Sequence, residues 1–274
     1  MKNLTYIFMF LMFFTSCKTL KITGEYLDNP PSVVPKVALS TDLNRNNWQH
    51  LDPINDSVPG MSVDKAYKEL IKDAEGQTVV VAVLDTGIDI KHEDLKDNIW
   101  SNKKEIPGNN IDDDKNGFVD DVYGWNFLGE AYYEQLELTR LLGKGEDFPE
   151  KEDAQKDYDK RLAEARGEET LKYYLNYDFK GRTTGDDPDN FEQTYYGDNK
   201  VEHSREDESH GTHVAGIIAA ARNNNLGMKG VANNVEIMTL RVVPYGDEYD
   251  KDVALGIIYA ADNGADIINT SFGK

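Results

Sequence analysis

Cysteine is all but missing. Cys17 is the only one in 274 residues, which excludes an intrachain disulfide and a cysteine-ligated metal site. Basic residues are also scarce: 30 Lys and Arg stand against 50 Asp and Glu, for a formal net charge of -20. A phosphate-binding surface needs the opposite balance, so nucleic acid is not an expected partner. The excess acid favours solubility, and cation binding wherever carboxylates cluster. Without cross-links, stability beyond the core must come from packing or a bound ion. The length admits one large domain or two small ones.

The N-terminus carries its own signal. Lys2 is followed by an apolar and aromatic run from Tyr6 to Phe14, then by small Thr15-Ser16 and Cys17. That run is short for a bilayer span and reads as an export signal over residues 1–17. Phe14-Thr15-Ser16-Cys17 resembles a bacterial lipobox, with Phe14 where such boxes usually carry leucine. The resemblance implies lipidation of Cys17 and anchoring to an envelope membrane, the only membrane contact expected. An unmodified Cys17 would leave the protein secreted. Residues 18–60 are polar and punctuated by Pro30-Pro31, Pro35, Pro53 and Pro59. They read as a tether and an N-terminal arm, with Trp48 and Leu51 as its anchors on the domain that follows.

From residue 61 the chain alternates helix and strand. Ser62–Ala74 has helical spacing, with Ala66, Leu70 and Ile71 on one apolar face and Gly76 beyond its end. Thr78–Leu84 is a run of β-branched and apolar residues, the mark of a fully buried parallel strand. Further strands are expected at Val235–Val243 and Ala265–Ser271, and a helix at Asp252–Asn263. This alternation predicts an α/β fold of three layers, a mostly parallel sheet with helices on both faces. Between these parts, residues 128–200 are highly charged. Glu130–Leu142 and Asp153–Tyr177 have helical character, and Gly181–Asn199 is loop-like. The segment reads as a surface insertion without chemistry of its own.

Asp85 ends the first strand and is followed by Thr86-Gly87. Ligands gather at the carboxyl ends of parallel strands, so Asp85 is a functional candidate. Asp-Thr-Gly is also good turn chemistry, and by itself the triplet leaves both roles open. Downstream, Asp112, Asp114 and Asn116 precede Gly117 at alternate positions, as in the first half of an EF-hand loop. The twelfth position is Tyr123 rather than glutamate, so this is not an EF-hand. Crowding among these residues still favours a calcium ion held by Asp112, Asp114, Asn116, Asp120 and Asp121 over a solvated acidic turn.

Ser209-His210-Gly211-Thr212-His213-Val214-Ala215-Gly216 places two histidines near a helix start, with small residues Gly216, Ala219 and Ala220 for close helix packing. No Glu or Cys stands at zinc spacing. His213 is expected to face the packed side of the helix. His210, at the helix start, is placed to meet a strand-end carboxylate and act as a general base.

Val83-Leu84-Asp85-Thr86-Gly87-Ile88-Asp89 and His210-Gly211-Thr212-His213-Val214-Ala215-Gly216 resemble the aspartate and histidine boxes of subtilisin-like serine proteases (subtilases). Asn269-Thr270-Ser271-Phe272-Gly273 is similar to that family's substrate-binding strand. The resemblance implies an endopeptidase acting on protein or peptide substrates without an organic cofactor. Asp85 would orient His210, and His210 would shuttle the proton of a nucleophilic serine. Ser271, Phe272 and Gly273 would pair with an extended peptide. The family's Gly-Thr-Ser nucleophile box does not occur before Lys274. Residues 61–274 are therefore expected to form a partial catalytic domain, its sheet incomplete at the C-terminus and inactive alone. The competing expectation is a non-catalytic envelope lipoprotein that binds extended peptides or calcium.

Overall fold

The computed structural model describes residues 46–72, 76–182, 184–203, 205 and 208–273. The export signal, Cys17 and most of the tether lie outside them. Strand β1 (Val79–Asp85) is central in a four-stranded parallel sheet ordered β2-β3-β1-β4. Its partners are β3 (Val235–Arg241) and β4 (Ile267–Thr270), and β2 (Gly124–Asn126) adds to the far side of β3. Ala82, Val83 and Leu84 are completely buried. Burying a Val or Leu side chain is worth about 1.5–3 kcal/mol, so this apolar run holds the strand in the centre and carries Asp85 to the sheet's carboxyl edge.

Two helices cover the two faces, as expected. Helix α4 (His210–Ala219) lies between β2 and β3 in the chain, and α5 (Asp250–Asp262) leads from β3 across β1 to β4. Val81 and Val83 pack with Ala215 and Ala219 of α4. Ala82 and Leu84 pack on the other face with Leu255, Tyr259 and Ala260 of α5.

Several local expectations are corrected. Near the arm, α1 covers only Val63–Ala66, followed by a π-helical turn over Tyr67–Ile71. Leu70 and Ile71 are exposed rather than forming a packed face. Trp48 is exposed too. The arm is fastened instead by polar groups: buried His50 meets the Lys229 carbonyl through Nε2 at 2.8 Å, and Arg222 pairs with Asp64 at 2.8 Å. Helical spacing marked Leu70 and Ile71 as a stripe, but a single short turn cannot bury it.

In the insertion, residues 130–136 are non-helical, with Tyr133 in an isolated bridge to Tyr245, and helix begins only at α2 (Glu137–Gly143). The backbone there pairs with the segment after β3, where Glu134 N donates to Tyr245 O and Tyr245 N to Tyr132 O. The second helical stretch divides into α3 (Lys151–Glu164) and a π-helical turn at Thr170–Tyr174. The insertion is also joined to the core by buried charge. Arg182 donates to both Asp186 and Asp252, Lys251 donates to Asp186, and Tyr196 donates to Asp252. Burial alone would raise the Asp186 carboxyl, but hydrogen bonds from Arg182, Lys251 and Thr184 bring it down to about 2. High charge content suggested a solvated surface, whereas these ions face one another inside the seam.

Candidate active site

At the end of β1, Asp85 is buried to 1% exposure while the His210 side chain is 56% exposed. His210 Nδ1 lies 2.8 Å from Asp85 Oδ1. A carboxylate can only accept here, so Nδ1 carries the proton and Nε2 is left as the basic nitrogen. The same Oδ1 accepts the Thr86 amide at 2.7 Å. The Asp85 carbonyl accepts the amides of Val242 and Val243, which ties the acid's backbone to the exit of β3. Thus the acid is rigidly seated, and the imidazole reaches it from the first residue of α4.

The approach of α4 to β1 depends on Gly211. A Cβ at 211 would lie 2.3 Å from the Gly87 carbonyl and 3.2 Å from Asp85 Oδ1. Gly211 N also donates to Thr86 Oγ1 at 3.2 Å. Gly216, expected to serve close packing, has open space where its side chain would be. His213 is exposed rather than packed, because helical rotation carries residue 213 away from the sheet once Ala215 and Ala219 face it. Asp89 sits in the turn after β1, where its amide donates to Thr212 Oγ1 and its carboxylate accepts the Lys91 amide.

Ser271, Phe272 and Gly273 follow β4 directly, with Ser271 and Gly273 exposed. β4 is an edge strand of the described sheet, paired only with β1 there.

The acidic loop forms a second cluster. Glu105, Asp112 and Asp114 each bring a carboxylate oxygen within 4.8 Å of the others. Glu105 is buried, and its Oε2 has no hydrogen-bond partner among the described residues. Burial raises its pKa, and the Asp121 and Asp113 charges add to the rise while two backbone amides oppose it. This hard-oxygen donor set with an unsatisfied buried oxygen fits a calcium-type ion. The remaining sequence candidates are otherwise engaged. Asp120 accepts the amides of Gly108, Asn109 and Asn110. Asp121 is bonded by Asn102, Asn116 and Tyr259, and Asn116 Oδ1 accepts the Phe118 amide. Glu105 escaped the sequence reading because it lies outside the Asp-x-Asp-x-Asn-Gly window, and no spacing rule reaches it.

An aspartate–imidazole pair of this geometry has the hydrogen-bonding arrangement of the acid and base in a nucleophilic triad. The chain belongs to the subtilase family, whose model matches residues 76–274. It is 28% identical over 210 residues to Subtilisin-like protease 1 of Plasmodium falciparum (isolate 3D7), covering 75% of this chain and 20% of that protein. Over 66 residues it is 50% identical to the Thermophilic serine proteinase of Bacillus sp. (strain AK1), which covers 24% of this chain and 16% of that one. Over 69 residues it is 46% identical to the Cell wall-associated protease of Bacillus subtilis (strain 168), which covers 25% of this chain and 8% of the relative. The chain therefore spans about a fifth or less of the length of these curated relatives.

Proposed function

We propose that this chain supplies the acid and base of a serine endopeptidase. The observation that carries this reading is the 2.8 Å contact between His210 Nδ1 and buried Asp85. In the proposed reaction His210 Nε2 takes the hydroxyl proton of a serine as that oxygen attacks the peptide carbonyl. The proton then passes to the leaving amine, and Asp85 stabilises the imidazolium between the two transfers. Ser271-Phe272-Gly273 would hold the substrate backbone by strand addition. Because the nucleophile box is not among these 274 residues, the whole protein would carry the activity, and this chain by itself would not react covalently with an active-site probe. Calcium at Glu105, Asp112 and Asp114 would neutralise the loop between β1 and β2, a structural role apart from the proton transfers.

The test is fluorophosphonate labelling of the full-length product purified from its source, beside the 274-residue chain. Labelling is expected in the full-length protein, absent after His210→Ala and strongly reduced after Asp85→Asn. An unlabelled full-length protein that still binds extended peptides would instead support the non-catalytic lipoprotein. Export and lipid anchoring at Cys17 belong to the same proposal. Cys17→Ala should move the protein from the membrane fraction to the soluble one, and unchanged membrane association would refute the anchor.

A further inference from the structure

Nothing in the proton transfers uses Arg241, yet it is the largest completely buried side chain of the described core. It ends β3 directly beside Asp85 in the sheet register. Its guanidinium is surrounded by acceptors. Nε donates to the Thr86 carbonyl at 3.0 Å. Nη1 donates to Asn126 Oδ1 and the Gly129 carbonyl at 3.2 and 3.1 Å. Nη2 donates to the Ala131 carbonyl and to Glu208 Oε1 at 3.0 and 3.1 Å. These partners come from four places: the turn after the catalytic strand, the end of β2, the root of the insertion, and the segment entering α4.

Glu208 is buried as deeply as Arg241, each side chain being 1% exposed. It stands two residues before His210, at the entrance of the helix. Ser209 makes no side-chain capping hydrogen bond, and the imidazole is more than half exposed. Packing alone therefore does not set the ring's position. The helix entrance is fastened to the acid's turn by the Thr86 hydroxyl on Gly211 N, by Thr212 Oγ1 on the Asp89 amide, and, further upstream, by Arg241, which bonds both the Thr86 carbonyl and Glu208.

We propose that Arg241 and Glu208 form a positioning pair that holds the entrance of α4 against the Asp85 turn and so sets the His210–Asp85 hydrogen bond. Neither residue touches the reacting atoms. A buried ion pair is weak evidence for net stability, since its desolvation offsets its attraction. A planar five-donor fork does fix the relative placement of the segments it joins, which a lysine could not do. The inference rests on reading Asp85 and His210 as a catalytic pair. Its test measures no proteolysis, so the two can fail separately.

The experiment is 1H–15N spectroscopy of the 274-residue chain labelled at histidine. Two ring N–H groups serve as reporters: His210 Nδ1–H on Asp85, and His50 Nε2–H on the Lys229 carbonyl, which belongs to the arm and reports the fold. In Glu208→Ala the His50 signal should persist while His210 Nδ1–H exchanges with water roughly tenfold or more faster, the scale of one charge-assisted hydrogen bond. Glu208→Gln keeps an oxygen for Arg241 and should restore slow exchange. An unchanged His210 exchange rate in Glu208→Ala overturns the proposal. So does joint loss of both reporters in Glu208→Ala and Glu208→Gln, which would make the pair's role one of global folding. Failure of Glu208→Gln to restore the His210 signal overturns it as well.

Discussion

Replacing Arg182 by methionine tests the seam that binds the insertion to the core. The guanidinium bridges Asp186 and Asp252, which are 3% and 0% exposed. Methionine keeps much of the length but leaves Asp252 with only the Tyr196 hydroxyl, and Asp186 with Lys251 and Thr184, among the contacts described above. Removing one partner of a buried ion cluster costs about 3–5 kcal/mol, because the charges left behind stay desolvated. For a domain of this size that is roughly a 6–20 °C fall in melting temperature at pH 7. The pH dependence adds a stricter test. The Asp186 carboxyl lies at about 2 in the fold against an ordinary 3.8. Its contribution is therefore complete above the unfolded value and is lost as pH falls towards about 2. The deficit of Arg182→Met should be greatest above pH ~4 and narrow between about 4 and 2. Arg182→Lys should recover only part of the loss, since a single ammonium cannot fork to both carboxylates. Calorimetric or circular-dichroism melts across that range decide the matter. A fall of under about 2 °C at neutral pH, on the scale of 1 kcal/mol or less, would refute the reasoning. A deficit that does not change with pH would refute it too.

Three other perturbations separate parts of the structure. Calcium should raise the melting temperature and chelator reverse it, and Glu105→Gln, which removes the charge of the buried unpartnered carboxylate, should abolish most of the shift; an ion-independent melt excludes the site. Gly211→Ala and Gly216→Ala should diverge. The first forces a Cβ against the Gly87 carbonyl and should cost about 1–3 kcal/mol, whereas the second enters open space in a helix and should gain up to about 1 kcal/mol; equal chemical-denaturation midpoints for the two would contradict the packing of α4. Burial raises Glu134 from 4.5 to about 7 against the opposing charges of Arg140 and Arg182. Its stabilising share is thus complete below the unfolded value and disappears as pH rises through about 7. Glu134→Gln should match the native melt near pH ~4 and exceed it near pH ~8 by up to about 3 kcal/mol, and a variant less stable at the higher pH would rule this out.

What the sequence could disclose depended on how local each cause was. Val79–Leu84 announced a buried strand because six neighbouring residues share one demand, and Asp85 inherited its place from them. His210 was legible for a similar reason, as it opens a run whose small residues must lie against a sheet. Leu70 and Ile71 misled because helical spacing is necessary for a buried stripe but does not supply a surface to bury it. His213 misled in the opposite way: proximity to His210 says nothing about which side of a turn of helix faces the sheet. The charges of the insertion were invisible as a seam, since Arg182 meets Asp252 only after an intervening helix and strand have been placed. Glu105 and Arg241 belong to this last group. Each is unremarkable in its own stretch, one a lone acid in a polar loop and the other a lone cation ending an apolar strand. Arg241 gains its significance from acceptors brought to it by distant segments, and Glu105 from the way its own loop folds Asp112 and Asp114 back towards it. The local motifs therefore expose Asp85 and His210, the groups proposed for proton transfer, while the groups proposed to hold them in place emerge only from the assembled fold. Arg241 sits at the junction of those two levels, so perturbing its bond to Glu208 tests how His210 is held, separately from whether Asp85 and His210 act in catalysis.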